Sequence, residues 1–248
     1  MSTMLYVVIP AYNEESNLTP LVRDIAAVAQ KNGFSYKCII IDDGSTDRTP
    51  DVIKELSASY NILHLENQPN AGLGKTMAKG LKKAAEVSAD GDIIVTLDGD
   101  ATHDPIYIPS MVEKIDVGND IVIASRFAPG GMERGLSVLR KFLSRGSGLL
   151  LRIFFPTKGL RDYTCGYRAF RASIVKLGFE KFGDNFIQET GFSVTPEILL
   201  KLRLLGAKID EVGFILKYDQ KVGQSKIKVP KTILQYLKMI ASFKLKGF

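Results

Sequence analysis

The sequence predicts an α/β fold, a mostly parallel central sheet flanked by helices, in a single domain. Three observations lead there. Short β-branched runs alternate with helical stretches through the first half of the chain, the pattern of βαβ units. Two of the runs, Cys38-Ile39-Ile40-Ile41 and Ile93-Ile94-Val95-Thr96-Leu97, stop at acidic residues, Asp42-Asp43 and Asp98-Gly99-Asp100. A chain of 248 residues, 45% hydrophobic and 24% charged, has the size and balance to bury one substantial core.

The first strand covers 5–10 and ends at Pro10, which cannot extend a ladder. A helix over 15–30 and a strand over 37–41 follow. Ser45, Thr46 and Asp47, with Pro50 in the first turn, open a helix over 49–59. Next come a strand over 62–65, a helix over 74–87, a strand over 92–97, a helix over 106–115 and a strand over 120–124. The continuous apolar runs suit strands covered on both faces. Beyond them a glycine-bearing loop, 126–135, leads into a basic helix over 136–155. An irregular stretch, 157–171, precedes a helix over 196–205, a strand over 208–216, a polar loop over 217–228 and a last helix over 231–246. No repeat or low-complexity linker separates the halves, so 1–230 reads as one unit with joined parts, 1–125 and 126–230. A basic amphipathic helix over 231–248 follows.

Net charge is +6, with 33 Lys and Arg against 27 Asp and Glu, which suits an anionic partner. Nothing resembles a base-stacking or groove-reading module, so nucleic acid is not expected as that partner. Cys38 and Cys165 are the two cysteines; they make neither a disulfide framework nor a zinc spacing, and a reducing setting is expected. No Lys or Arg precedes Arg23, so a secretory signal is not expected. The apolar stretch 149–155 is short and broken by Arg152, too little to span a bilayer.

Strand ends carry the chemistry. In open α/β sheets ligands bind beyond the carboxyl ends of the strands, where Asp43, Asp98 and Asp100 fall. Adjacent carboxylates at a buried terminus repel unless ligand, metal or amide donors offset them. Asp43 suits hydrogen bonds from a base or ribose. Asp98 and Asp100, two apart, are placed to point the same way in extended backbone and to hold one hard divalent cation, with Gly99 leaving room for a nucleotide. Magnesium takes one or two carboxylates plus substrate phosphates. His103 reads equally as a support for this pair or as a turn residue. The segment Pro10-Ala11-Tyr12-Asn13-Glu14, taken alone, is a turn that leaves Tyr12 and Glu14 at the ligand edge.

Gly74-Lys75-Thr76 lacks the earlier glycine of a phosphate loop, since Pro69 stands there. A helix terminus at 72–75 facing an anion is the milder expectation. Arg126 ends a strand, and Arg140 and Ser144 share a helix face with Arg145 nearby. Guanidinium plus hydroxyl is a phosphate receptor, and this one adjoins the apolar 149–155. In the last helix, Ile233, Leu237, Ile240 and Leu245 fall on one side among lysines, a pattern that suits a membrane interface as well as packing on the domain.

These residues resemble family 2 glycosyltransferases of the GT-A fold, and within them polyprenyl- or dolichyl-phosphate mannose synthases. The resemblance rests on Val8–Glu14, Asp42–Asp47, Asn70–Gly74, Asp98–Asp100, Ser125-Arg126, Arg140 to Arg145, Gly166-Tyr167-Arg168 and Gly223-Gln224-Ser225-Lys226. It implies a nucleotide-sugar-binding half over 1–125 and an acceptor half over 126–230. Pro10, Tyr12, Glu14, Ile41 and Asp43 would bind the donor nucleotide; Asp98, Gly99 and Asp100 would meet nucleotide and diphosphate. Asp98, Asp100 and Thr102 would hold Mg2+ or Mn2+. Arg126 and Lys226 would face the donor phosphates and the reaction centre with Asp100, and Arg126, Arg140 and Ser144 would take the acceptor phosphate. Gln220 stands where an arginine usually meets the donor, and Phe192–Glu197 also departs from the usual pattern.

The implied reaction is inverting transfer of a hexose, with GDP-mannose first among donors, to a polyprenyl or dolichyl phosphate. The implied setting is the cytoplasmic face of a membrane, with or without a small membrane-anchoring partner. The alternatives are a UDP-sugar donor (glucose or N-acetylglucosamine) and an inactive nucleotide-sugar-binding regulator; a nucleotidyltransferase would need a triphosphate loop that is not found.

Overall fold

A computed structural model describes residues 4–135, 138–218 and 229–245, with the backbone path alone at 138–144 and 229–231. Its strands are β1 (Met4–Ala11), β2 (Ser35–Asp42), β3 (Ile62–Glu66), β4 (Ile93–Thr96), β5 (Ile121–Ser125), β6 (Met132–Arg134), β7 (Arg168–Arg171), β8 (Ile209–Gly213) and β9 (Ile215–Lys217). The helices are α1 (Leu18–Asn32), α2 (Thr49–Ser57), α3 (Leu73–Val87), α4 (Ile108–Asp116), α5 (Val138–Phe154), α6 (Ala172–Phe182), α7 (Val194–Leu204) and α8 (Val229–Leu245).

Seven strands make one sheet in the order β3-β2-β1-β4-β7-β5-β8. All neighbours run parallel except β7, which is antiparallel to both β4 and β5. The expected mostly parallel sheet is therefore present, and β7 and β8 tie the second half of the chain into it. Helix α1 packs with α2 and α4, while α3 packs with α6 and α7. Leu5–Ile9, Ile39–Ile41 and Ile93–Val95 are buried between these layers, which is why the runs read as continuously apolar.

Several elements depart from the sequence reading. The stretch 157–171 ends in β7, and Arg168 pairs with Thr96 on one side and Ile123 on the other. Helix α6 fills a region given no element; its buried Ala172, Ile174, Val175 and Gly178 make a short apolar face that β-branched residues disguise. The strand over 208–216 divides in two, because Phe214 donates its N–H to Ser125 O and the chain leaves the main sheet to pair β9 with β6. Helix α4 begins with a 3-10 turn, Pro105–Tyr107, capped by the Asp104 carboxylate. The last helix also differs: Tyr236, Met239, Ile240 and Phe243 are buried against the domain, whereas Leu234, Leu237 and Leu245 are exposed. The expected stripe of Ile233, Leu237, Ile240 and Leu245 is thus split between a packed and an exposed face.

Because β7 runs against its neighbours, its first residue lies at the edge where β1, β2, β4 and β5 end. One rim of the sheet therefore collects residues 11–15, 42–49, 97–103, 126 and 162–168.

Candidate active site

Two loops interlock at the left of this rim. Asn13, at φ +53, accepts the Thr46 N–H on Oδ1 (2.8 Å), and its own N–H meets Ser45 Oγ at 2.9 Å. Glu14 N–H meets Thr49 Oγ1 at 2.8 Å and Glu15 accepts from Arg48 N–H at 2.8 Å. The turn after β1 is thereby fixed to the start of α2, which positions Tyr12 and Glu14.

Asp42 and Asp43 are both buried, and their mutual repulsion is met by internal donors. Asp42 accepts from Ser45 N–H and Oγ. Asp43 Oδ1 accepts from Asn67 Nδ2 and Ala71 N–H, and Oδ2 from Gly72 N–H, each at 2.9 Å. This corrects the expectation that 72–75 presents a helix terminus to an external anion. The anion at the start of α3 is Asp43 itself. The Gly74 N–H goes to Thr190 O at 3.2 Å, and a Cβ on Gly74 would stand 1.7 Å from Glu189 O, so this glycine exists for close packing.

In the second acidic cluster the expected strand alternation does not operate. β4 ends at Thr96, and 97–103 form a turn with Ala101 at φ +57. Asp100 is buried, and its Oδ1 accepts from both the N–H (3.2 Å) and Oγ1 (2.7 Å) of Thr102. Thr102 thus orients the carboxylate. The Asp98 side chain is 46% exposed, with His103 Nε2 3.9 Å from its Oδ2. His103 Nδ1 accepts the Asp98 N–H at 3.0 Å, and its ring stacks on Tyr167 at 5.2 Å. His103 is therefore a brace for the Asp98 turn. The protein itself already requires a glycine at 99, since a Cβ there would lie 2.9 Å from Pro10 O.

Among the described residues no three His, Cys, Asp or Glu side chains gather as a preformed metal cage. The donor set nonetheless fits a hard cation that arrives with substrate phosphates. Asp98 and Asp100 supply carboxylate oxygens at the rim, and Asp100 is held on one oxygen by Thr102.

Arg126 begins the right side. Its guanidinium meets Asp162 in a fork, Nε to Oδ2 at 2.8 Å and NH2 to Oδ1 at 2.7 Å, with NH2 also donating to Thr164 Oγ1 at 2.7 Å. NH1 lies 3.4 Å from Glu133 Oε1. Asp162 is fully buried, and burial alone would raise its pKa; the Arg126 charge and donated hydrogen bonds outweigh that and hold it below the usual carboxylate range. Glu211 Oε1 in turn accepts the N–H groups of Arg161 and Asp162. Burial pushes the Cys165 thiol up to about 12, so it is no nucleophile.

Arg168 is buried, and desolvation lowers its pKa to about 10. It donates to Thr195 O at 2.6 Å and Tyr163 O at 2.8 Å, fixing the start of α7. Gly166, whose carbonyl accepts from Thr96 Oγ1 at 2.7 Å, separates Asp98 from Thr195: a Cβ there would sit 3.7 Å from Asp98 Oδ1 and 3.8 Å from Thr195 Oγ1.

The rim therefore holds Pro10, Tyr12, Glu14, Ile41, Asp43, Asp98, Gly99, Asp100, Thr102 and Arg126 from the sequence reading. Gln220 and Lys226 lie outside the described residues. Arg140 and Ser144 fall in α5 at positions whose side chains are also outside them. Sequence reasoning assigned no role to Asp162, Glu133 or Thr195. The Asp162-x-Thr164 pattern beside a glycine was the available signal for the first.

The family model for glycosyl transferase family 2 matches residues 6–179. Dolichol-phosphate mannosyltransferase of Pyrococcus furiosus is 34% identical over 235 residues, 94% of this chain and 62% of that protein. Undecaprenyl-phosphate 4-deoxy-4-formamido-L-arabinose transferase of Edwardsiella ictaluri is 33% identical over 68% of this chain and 50% of its own length. The chain thus spans between half and two thirds of these two relatives. Among solved structures, glucosyl-3-phosphoglycerate synthase of Mycobacterium tuberculosis, in complex with phosphoglyceric acid, superposes with a TM-score of 0.67 at 19% identity. That match covers 96% of this chain and 80% of the other. The same synthase with Mn2+ and UDP-glucose gives 0.65 at 20% identity, over 97% and 78%.

Proposed function

The chain belongs to glycosyl transferase family 2, and from that premise we propose that it transfers a hexose from a nucleotide diphosphate sugar to a polyprenyl phosphate, with inversion. GDP-mannose is the proposed donor, on the strength of the 34% identity with a mannosyltransferase. The observation that carries the reading is the layout of the rim. A carboxylate pair suited to a metal–diphosphate lies on the same sheet edge as Arg126, and the helix bearing Arg140 and Ser144 leads from there to an exposed apolar surface, Leu149, Ile153 and Phe154.

Two anions have to be brought together here. In this reading Asp43, Tyr12 and Glu14 hold the nucleotide. Asp98 and Asp100, the latter oriented by Thr102, would hold Mg2+ or Mn2+, which supplies charge neutralisation at the departing diphosphate. Arg126 and Lys226 add positive charge at the reaction centre. Arg140 and Ser144 hold the acceptor with Arg126. A phosphate monoester has its second pKa near ~6 and is mostly dianionic at neutral pH, so its oxygen attacks without a strong general base. That agrees with His103 being occupied as a brace.

The acceptor's lipid tail requires an apolar neighbour. Leu149, Ile153 and Phe154 of α5 and Leu234, Leu237 and Leu245 of α8 are exposed, with Lys244 over the Phe155 ring at 5.0 Å. We place this face on the cytoplasmic surface of a membrane. Among the described residues no helix is long and apolar enough to cross one.

A panel of GDP- and UDP-sugars with a short polyprenyl phosphate, read as nucleoside diphosphate release, tests the proposal. Transfer with a UDP-sugar alone would replace the donor while leaving the acceptor. Binding of nucleotide sugars without transfer to any acceptor would mark a regulator instead.

A further inference from the structure

We propose that Glu133 is an internal stand-in for the acceptor's phosphate, and that it restricts the acceptor to a head group carrying two negative charges. The inference rests on the reading of Arg126 as an acceptor-phosphate ligand.

A guanidinium offers five N–H donors. On Arg126, Asp162 and Thr164 take Nε and NH2, and NH1 is the edge that Glu133 approaches. Glu133 occupies that edge, with Oε1 3.4 Å from NH1. Its side chain is 2% exposed, and its second oxygen, Oε2, has no hydrogen-bond partner among the described residues. Arg145 Nε lies 3.9 Å from Oε2, and its side chain is 66% exposed.

The charges explain why this is a place-holder rather than a permanent pair. Asp162 alone neutralises Arg126, in a bidentate bond with several further donors on the carboxylate. Glu133 is then a surplus buried anion, offset from the solvent side by Arg145, and a half-satisfied buried carboxylate is costly. It bridges two guanidinium groups on the side from which α5 continues. A phosphate monoester carries up to two charges and three acceptor oxygens, so it replaces the carboxylate between Arg126 and Arg145 with a stronger partner. Carboxylate and phosphate cannot share the position, because like charges at hydrogen-bond range exclude one another. A neutral hydroxyl or a monoanionic diester offers no such gain and leaves Glu133 in place. Strand β6, which carries Glu133, is three residues long and pairs only with β9 among the described strands, so displacing the side chain leaves the main sheet intact.

The test is steady-state transfer to a short polyprenyl phosphate by the full chain. Glu133→Gln is expected to lower the acceptor KM roughly tenfold, equivalent to about 1.4 kcal/mol, while the donor KM stays as in the wild type. The methyl ester of the same polyprenyl phosphate, a monoanion, is expected to compete with acceptor in the variant and not in the wild type. Glu133→Asp, which shortens the carboxylate's reach to Arg126, is expected to shift the acceptor KM the same way by less, and it decides the matter should the glutamine variant fail to fold. An acceptor KM that rises or stays constant in these variants, while Arg126→Lys raises it, would overturn the inference and leave the acceptor reading standing. An acceptor KM indifferent to Arg126→Lys, or a wild type that makes no transfer to polyprenyl phosphate, would remove the reading and the inference with it.

Discussion

The Asp162 carboxylate forms a two-point bond with the Arg126 guanidinium, at 2.8 and 2.7 Å, in a pocket where Asp162 is wholly buried. Arg126, the arginine proposed to meet the acceptor phosphate, is therefore set in place by a second residue, and that residue is expected to matter as much as the arginine.

Asp162→Ala removes the two-point partner of a buried guanidinium, which keeps Glu133 at 3.4 Å and Thr164 at 2.7 Å, and is expected to destabilise the fold by about 3 kcal/mol, the lower end of the cost of breaking a buried pair by removing one partner. Asp162→Asn keeps the shape and loses the charge, so a smaller loss is expected. Urea unfolding measures both.

The same pair sets an acid limit. The folded pKa of Asp162 lies below its ordinary value of 3.8, where the Arg126 charge overrides the effect of burial. Its stabilisation is complete above the unfolded pKa of about 4 and is lost as pH falls through the lower, folded value. Between pH 7 and 5 it should add no slope; below pH 4 it should add a decline. Unfolding free energy followed against pH is expected to fall less steeply in that acid range for Asp162→Asn.

Gly74 and Gly146 are both helical and should respond oppositely to alanine. A Cβ on Gly74 meets Glu189 O at 1.7 Å, whereas one on Gly146 meets nothing within 4 Å among the described residues. Gly146→Ala is expected to raise stability by about 0.4–1 kcal/mol. Gly74→Ala is expected to lower it by roughly 1–3 kcal/mol as the α3 start is pushed from the 189–190 segment. Thermal melts of the two variants decide.

Asp43 serves the fold before it serves a ligand. Asp43→Ala leaves the N–H groups of Ala71 and Gly72 without their acceptor and the Asn67 amide with Thr76 Oγ1 alone, and a loss of about 1–3 kcal/mol is expected. Nucleoside diphosphate binding, measured by calorimetry on the folded fraction, is expected to weaken as well. Binding unchanged in a less stable protein would confine Asp43 to structure.

In the parallel half of the sheet β1, β2 and β4 were legible because they are buried on both faces, so burial writes itself as an apolar run that stops at Asp or Pro, whereas the edge strand β3 is only half-buried. β7 was not legible, since Arg168-Ala169-Phe170-Arg171 begins and ends with arginine; the first is buried through bonds to the carbonyls of Thr195 and Tyr163, a long-range arrangement that no local pattern reports. For the site, residue types at strand ends were readable, while their partners were not. That Asp43 would turn inward to the amides of 71 and 72, or that Gly99 would answer to Pro10, depends on contacts between distant segments.

The most direct test is hexose transfer to a short polyprenyl phosphate by wild type and Asp100→Ala, with and without a chelator. The expected result is product from the wild type, lost on chelation and regained with Mg2+ or Mn2+, and no product from a folded Asp100→Ala protein. Transfer by Asp100→Ala at the wild-type rate, or by the wild type in full chelator, would contradict the account.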